Sequence, residues 1–179
     1  MKKDKRTNMV MAIILVLIVG ISIGYAALTA ALNIQGQTTI NSTKWDVHFE
    51  TLNVTSGSVT ATTPAAIQTN KLDITYGVEL NEPGDFYEFT VNVKNAGTIP
   101  AKLSADPTLA GLSNAQKVYT SYTATYSDGT AVSANDKLAA GASKTIKVRV
   151  EYKTNITADQ LPTTAQNVTL TYAMNYVQD

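Results

Sequence analysis

Apolar and polar residues alternate along most of this chain, which is the pattern of β-strands with one buried face. The first alternating run contains Trp45, Val47 and Phe49. The apolar members of four later runs are Leu72, Ile74, Tyr76 and Val78; Phe89, Val91 and Val93; Ile146, Val148, Val150 and Tyr152; and Val168, Leu170, Tyr172, Met174 and Tyr176. Outside the first 26 residues, no segment keeps the 3.6-residue apolar period of a helix for three turns. The pattern therefore predicts an all-β fold.

Turn signals separate the runs, since glycine and Asn or Asp accept the positive φ angles that turns require. These signals are Pro83-Gly84-Asp85, Asn95-Ala96-Gly97, Ser127-Asp128-Gly129 and Ala139-Ala140-Gly141. Short strands with turns between them and one polar face each are typical of an antiparallel two-sheet sandwich.

Three segments carry finer predictions. Residues 118–126 are rich in Thr and Tyr, and the turn that follows predicts a hairpin into residues 131–132. Residues 56–69 are rich in Thr, Ala and Ser and contain Pro64, which indicates a long loop or a poorly paired edge segment. Short helical turns are expected within two further ranges, 113–117 and 157–161.

The N-terminus has the layout of a secretory signal peptide. A basic stretch precedes an uncharged apolar run at residues 9–23, and a small-residue stretch at residues 24–31 follows. The basic residues are Lys2, Lys3, Lys5 and Arg6. With Gly24 and Ala26 at the small-residue positions, cleavage after Ala26 would divide the chain into a leader, residues 1–26, and a single domain, residues 27–179.

Other processing outcomes remain open at this N-terminus. Cleavage after Ala30 or Ala31 would also release a soluble domain. A membrane span needs roughly 20 apolar residues, and residues 24–31 could extend the apolar run toward that length. An uncleaved leader would anchor the chain through residues 9–25, with the basic end cytoplasmic by the positive-inside rule.

Composition narrows the class of protein further. The sequence has no cysteine, so the exported domain depends on its core, and a chain of about 150 residues buries roughly 68–70% of its unfolded surface. Removal of the leader would leave ten basic and thirteen acidic residues. Because the basic residues are scattered, we expect no nucleic-acid partner.

The residues that could carry chemistry are few. His48 is the only histidine, and no His-Glu-x-x-His or Gly-x-Ser-x-Gly motif occurs, so neither a His-type zinc site nor a serine triad can be read from the spacing. Asp73, Asp85 and Asp128 could offer oxygen ligands to calcium, but they lack the alternate spacing of a calcium loop. We therefore predict no enzymatic activity, no cofactor and no metal.

One block of the sequence resembles a known family. Leu80, the Pro83-Gly84-Asp85 turn and the strand that ends at Asn95-Ala96-Gly97, with Ala101 shortly after, are similar to the TasA/camelysin family of exported Gram-positive surface and biofilm-matrix proteins. The resemblance implies a jelly-roll sandwich that polymerises into extracellular fibres by donating its N-terminal strand to the next subunit. The chain departs from the family pattern at Tyr25-Ala26-Ala27-Leu28, which leaves open which signal peptidase would process it.

The residues themselves make strand donation physically reasonable. After cleavage, residues 27–35 would be an uncharged apolar N-terminus whose exposure to water costs free energy. Leu28, Leu32 and Ile34 fall on one face of an extended strand and are the predicted donor-strand anchors. Such a strand could pair with the open sheet edge of a neighbour, or it could be the buried first strand of its own sandwich.

These observations predict a structural subunit of a fibre at the cell surface or in the medium of a Gram-positive-type bacterium. Its expected partners are further copies of itself, other matrix proteins and a signal peptidase. Two alternatives remain: a membrane-tethered module that recognises glycan or protein, and a camelysin-like surface protease. Tyrosines on the strands indicate core packing or, for the first alternative, a stacking surface for sugars.

Overall fold

A computed structural model describes residues 3–28 and 33–179, with the backbone alone at residue 3 and residues 23–28. The chain divides into two compact units, Met1–Asn41 and Ser42–Asp179. The helices in the described part are α1 (Lys3–Leu28) and α2 (Gln116–Tyr119), with one 3-10 turn at Ala158–Gln160. The strands are β1 (Val47–Gly57), β2 (Ala61–Ile67), β3 (Ile74–Val78), β4 (Phe86–Asn95), β5 (Ala101–Leu103), β6 (Thr108–Ala110), β7 (Thr120–Tyr126), β8 (Lys137–Leu138), β9 (Ser143–Tyr152), β10 (Thr171–Ala173) and β11 (Tyr176–Gln178).

From Met9 onward, the sequence of helix α1 is apolar on all faces of the helix. Its sequence is dominated by Ile, Leu, Val, Met and Ala and contains no proline, so it favours a continuous helix. Asp4 lies in the first turn, where a negative charge is favourable for the helix dipole. The segment Asp4–Ser22 is long and apolar enough to cross a membrane and is exposed. This confirms the N-terminal apolar helix, and both a signal sequence and an anchor have this composition.

The largest sheet has the strand order β1-β4-β9-β7, and every neighbouring pair is antiparallel. Burial alternates strictly along β4, where Tyr87, Phe89, Val91 and Val93 are buried. In β9 it alternates from Ile146 to the end of the strand. The alternation seen in the sequence is therefore confirmed for the two central strands, and their buried face forms the core.

Three smaller antiparallel sheets supply the rest of the strands: β2-β3, β10-β6 and β11-β5-β8. Their apolar residues pack against the buried face of the largest sheet, and those from β3 and from the C-terminal segment include Ile74, Tyr76, Val78, Leu170, Tyr172, Met174 and Tyr176. The prediction of an antiparallel all-β domain is confirmed at this level.

Of the two alternatives for residues 56–69, the structure excludes a long loop and shows a poorly paired edge segment. These residues contain the end of β1 and all of β2, which within the described residues pairs only with β3 and whose register shifts on both sides of Thr63. Pro64 lies within the second of these shifts, where its missing N–H costs no ladder hydrogen bond. The prediction for the last strand is corrected. The final run is divided between β10 and β11, which belong to different sheets.

The predicted hairpin after β7 is wrong. The turn itself forms, with Gly129 N donating to the Tyr126 carbonyl at 2.9 Å, but residues 131–132 form no strand. Strand β7 pairs with β9 instead. The chain after the turn is held as a loop by Asp136, whose Oδ2 accepts hydrogen bonds from Tyr126 Oη at 2.8 Å and Ser133 N at 2.9 Å.

The predicted helical turns fall near their expected places. The 3-10 turn at Ala158–Gln160 lies inside the predicted range, and its capping box with Thr157 explains why the chain turns there. The other predicted range is 113–117, and only its last two residues, 116–117, lie in helix α2.

Candidate functional site

The Pro83-Gly84-Asp85 turn is held in place by hydrogen bonds of its Asp85 side chain. Asp85 is 8% exposed, and its Oδ2 accepts hydrogen bonds from Asn81 N at 2.7 Å and Glu82 N at 3.1 Å. Its Oδ1 accepts a hydrogen bond from Ser58 Oγ at 3.0 Å, and Ser58 Oγ in turn accepts one from Phe86 N at 2.9 Å. Hydrogen bonds from the backbone of Asn81 and Glu82 lower the pKa of Asp85. The carboxylate therefore ties the turn to the end of β1.

Backbone geometry explains the rest of this motif. Gly84 has φ +103°, a conformation that favours glycine, and its N–H donates to the Tyr152 carbonyl at 2.8 Å. Tyr152 N donates to the Asp85 carbonyl at 2.7 Å. The turn is thus hydrogen-bonded to the end of β9.

Asn95 has a similar structural role at the other end of β4. It is completely buried, and its Nδ2 donates to the carbonyls of Ile99 at 2.9 Å and Leu138 at 3.1 Å. Its Oδ1 accepts a hydrogen bond from Gly97 N at 3.0 Å. One amide side chain therefore joins the β4–β5 turn to β8.

Gly97 marks the place where the N-terminal segment meets the domain. Ala96 N donates to the Asp46 carbonyl at 2.8 Å, and Thr98 N donates to the Lys44 carbonyl at 2.9 Å. These bonds continue the register of β1 with β4. A Cβ at position 97 would collide with the Lys44 carbonyl, so only glycine allows this approach. Residues 44–46 are therefore held as an extension of β1 beyond the end of the sheet.

The segment before this extension is exposed. Residues 33–46 contain no regular secondary structure, and the side chains of Ile34 and Ile40 are 99% and 91% exposed. Among the predicted anchors, Ile34 is in this segment, the backbone of Leu28 is at the end of α1, and Leu32 lies outside the described residues. The backbones of Gly24 and Ala26 lie within α1. Sequence reasoning missed Ile40, although its even-numbered position places it on the same strand face as Ile34.

A cavity lies beside strands of the smaller sheets. In the described part of the chain, β3 pairs only with β2, and β10 pairs only with β6. The cavity has a volume of about 240 Å³ and is lined by residues in and next to these strands and by residues of β4 and β9. Its lining residues in and near β3 and β10 include Leu72, Ile74, Tyr76, Leu170, Tyr172 and Met174. We call this cavity the β3–β10 slot.

Buried tyrosine hydroxyls lie in and beside this slot. Among the described residues, Tyr172 Oη and Tyr176 Oη are buried without a hydrogen-bond partner, whereas a hydrogen bond between the hydroxyls of Tyr76 and Tyr122 contributes to the pKa shifts of both groups. Burial raises the pKa of Tyr76 and Tyr172, and it raises that of Tyr176 to about 12 together with the charge of Asp136. Tyr76 and Tyr172 line the slot. Buried polar groups without a hydrogen-bond partner are uncommon in folded proteins.

The tyrosines on the strands pack inward. Those in contact with the core are Tyr76, Tyr87, Tyr122, Tyr126, Tyr172 and Tyr176. A further pair, Tyr119 and Tyr152, has ring centroids 6.0 Å apart. These contacts favour the packing interpretation over a stacking surface for sugars.

His48 lies in a small surface group of charges. Its Nδ1 is 2.6 Å from Asp46 Oδ1, and Lys44 Nζ is 2.6 Å from Asp46 Oδ2. The hydrogen bonds from Lys44 and His48 lower the pKa of Asp46. Within the described residues no group of three or more His, Cys, Asp or Glu side chains could hold a metal ion.

Comparisons with family models, with curated proteins and with solved structures gave no match to this chain. The resemblance to the TasA/camelysin family therefore rests on the sequence itself and is specific only in the block 80–101.

Proposed function

We propose that this protein is a non-enzymatic, exported structural subunit that polymerises into a fibre at the cell surface. Each subunit would donate its N-terminal segment as a strand to the next, and the domain would be a sandwich of the jelly-roll type. The observation that carries this proposal is the exposed, uncharged segment before β1, together with the fixed point at residues 44–46 from which it leaves the domain.

Free energy favours burial of this segment. Ile34 and Ile40 are almost completely exposed, and burying one such side chain contributes about 1.5–3 kcal/mol. Residues 33–43 contain no charged residue, so an apolar environment would impose no cost of charge burial. A strand added to an open sheet edge would satisfy the backbone of the segment as well as its side chains.

Residues 44–46 give the segment a fixed starting point on the domain. They extend β1 past the end of β4, held by hydrogen bonds from Ala96 and Thr98. A strand donated to a neighbour would begin at this point.

The residues behind the family resemblance support a structural role. The polar atoms of Asp85 and Asn95 form hydrogen bonds with backbone groups and, for Asp85, with the Ser58 hydroxyl. His48 on β1 pairs with Asp46, which lies just before this strand. The apolar helix α1 supports export, with the protein either released after cleavage or held at the membrane. Further copies of the chain, other matrix proteins and a signal peptidase are the proposed partners.

Electron microscopy of the exported protein tests this function. The full chain is expressed in a Gram-positive host, and material from the cell surface and the medium is concentrated and examined in negative stain. We expect thin regular fibres from the parent chain, and folded monomers from a variant that lacks residues 27–35. Loss of folding in the deletion variant would show that this segment is an internal strand, and monomers from the parent chain at all concentrations would contradict the proposal.

A further inference from the structure

We infer that β7 is a self-association edge, at which the β7 strands of two copies of the chain pair antiparallel about Thr123 and join their largest sheets into one. This contact goes beyond the proposed function, because it uses no residue of the N-terminal segment. In a two-fold interface each copy presents the same surface to the other, and hydrogen bonds between the two strand backbones supply affinity.

One side of β7 offers backbone groups to a second strand. In the described part of the chain, β7 pairs with β9 alone and is the last strand of its sheet. Ser127 N donates to the Thr145 carbonyl at 3.0 Å, and the register of β7 with β9 is continuous. Odd-numbered residues of β7 therefore direct their backbone groups towards β9. The N–H and C=O groups of Tyr122 and Ala124 point outward, as at an open sheet edge.

The opposite edge of the same sheet is protected against such pairing. Strand β1 has two register shifts along its pairing with β4, and Thr51 in this strand has φ +49°. Bulges of this kind bend an edge strand and discourage pairing with another chain. Phe49 N, at the outer edge of β1, donates to the Lys71 carbonyl at 2.8 Å. Strand β7 has neither a register shift nor a proline or charged residue, so we assign the contact to β7.

The sequence of β7 is complementary to itself about Thr123. When Thr123 lies opposite Thr123 of the second copy, Ser121 lies opposite Thr125. Hydroxyl side chains then meet on the outer face, where such cross-strand pairs are favourable. On the inner face the large ring of Tyr122 lies opposite the small side chain of Ala124. Because β7 contains no charged residue, no like charges oppose each other along it.

The two ends of β7 carry complementary charges. Antiparallel pairing brings the turn after Tyr126 of one copy to the Thr120 end of the other. That end borders a cavity of about 290 Å³, and the charged residues that line it are Lys117 and Lys153. The turn carries Asp128, whose side chain is exposed. The interface would therefore contain this attraction twice, once at each end.

Disulfide cross-linking of the full exported chain tests the contact, since the parent chain contains no cysteine. Thr123→Cys would place two sulfurs at a directly opposed pair whose Cα atoms lie about 4.5 Å apart, within the range of a disulfide. The Thr123 side chain is exposed, so we expect normal circular dichroism. Under mild oxidation, most of these chains should run as dimers on a non-reducing gel. Asn53→Cys, exposed on β1, should give severalfold fewer dimers, and equal yields would overturn the inference.

Two further cysteine variants test the register. In Ser121→Cys alone, the two sulfurs would lie about four residues or 13 Å apart along the strands, which is too far for a disulfide. In a strain that co-expresses the Ser121→Cys and Thr125→Cys chains, the sulfurs of unlike chains would lie opposite each other. We expect mixed dimers, identified by peptide mapping, from the co-expressed pair and severalfold fewer dimers from Ser121→Cys alone. Equal yields would contradict pairing about Thr123.

Charge exchange at the centre tests whether the strand edges themselves hold the copies together. The co-expressed Ser121→Cys and Thr125→Cys chains should cross-link severalfold less when both also carry Thr123→Lys, because like charges would lie directly opposite each other. Thr123→Lys in one chain and Thr123→Asp in the other should restore the yield, which a folding defect would not allow. Cross-linking that is the same in all combinations would overturn the inference.

Electron microscopy of the same material separates this inference from the proposed function. Fibres without preferential cross-linking at β7 would overturn the inference alone. Preferential cross-linking at β7 without fibres from the parent chain would support the inference and contradict the proposed function.

Discussion

Single polar residues hold the turns of this domain, and Asn95 is the clearest case. Asn95→Ala would leave two carbonyls and one N–H without their side-chain partner in a buried site. Each unsatisfied group costs about 1–3 kcal/mol, so we expect a loss of at least about 2 kcal/mol in the free energy of unfolding, measured by urea titration. Asn53→Ala, at an exposed position of β1, should change it by less than about 0.5 kcal/mol. A loss in Asn95→Ala no larger than this small change in Asn53→Ala would show that the amide of Asn95 does not stabilise the fold.

The lowered pKa of Asp85 predicts how the stability of the domain changes in acid. This pKa is lowered from the ordinary 3.8 by backbone hydrogen bonds. As the pH falls, Asp85 is therefore protonated at a higher pH in the unfolded state than in the folded state. The stabilisation by Asp85 is present above pH 3.8 and is lost as the pH falls through the lowered pKa. We expect the urea midpoint to fall between neutral pH and pH 3, and to fall less in Asp85→Asn. Glu79→Gln, at an exposed position, should keep the full acid response, and an unchanged response in Asp85→Asn would contradict this role.

Sequence reasoning located these residues but not their partners. The turn signals and the family resemblance marked Asp85, Asn95 and Gly97 as important. Ser58 and Leu138 are 27 and 43 positions away from the residues they bond, and no local pattern could connect them. A turn motif shows where a chain reverses, but its long-range hydrogen bonds depend on which strands the fold brings beside it.

At the scale of elements, the extension of β1 depends on Gly97. In Gly97→Ala the added Cβ would strike the Lys44 carbonyl and lie 3.0 Å from Asp46 N, so residues 44–46 must shift. Overpacking of this kind costs about 1–3 kcal/mol. We expect faster hydrogen exchange at the amides of Ala96 and Thr98, which donate to the extension.

A matched glycine provides the control for this experiment. At Gly36 a Cβ would meet no described atom within 4 Å, so Gly36→Ala should leave the amide exchange of Ala96 and Thr98 unchanged. Slow exchange in Gly97→Ala would show that the chain before β1 is not held by this contact.

The pairing of the strands could not be predicted from the sequence. The alternation in β4 and β9 predicted their buried faces because it reports which side chains avoid water. The alternation did not predict that β7 pairs with β9 and not with the residues that follow β7. Pairing is decided by which backbone edges meet in the folded domain, and the loop held by Asp136 removes the local partner.

At the scale of the whole molecule, the proposed assembly depends on one face of the N-terminal segment. Ile34→Asp with Ile40→Asp would place charges on the apolar face of the proposed donor strand, and burying these charges against a neighbour would be strongly unfavourable. Because both positions are exposed in the described chain, we expect normal circular dichroism and thermal unfolding but no fibres by electron microscopy.

The control places the same charges on the other face. Gln35→Asp with Thr39→Asp adds two carboxylates to the same segment, and we expect fibres to form as in the parent chain. If both double variants polymerise, insertion of the two isoleucines does not drive assembly. If neither does, net charge on the segment is the cause, and the argument from strand faces is wrong.

The sequence alone was enough to predict the apolar N-terminal helix, the buried faces of β4 and β9 and the places where the chain turns. These properties follow from local composition, from period-2 alternation and from the backbone freedom of glycine. The tertiary structure decided which strands pair, which distant groups satisfy Asp85 and Asn95, and that a cavity remains beside β3 and β10. Those features arise from contacts between residues far apart in the chain, for which local pattern carries no signal.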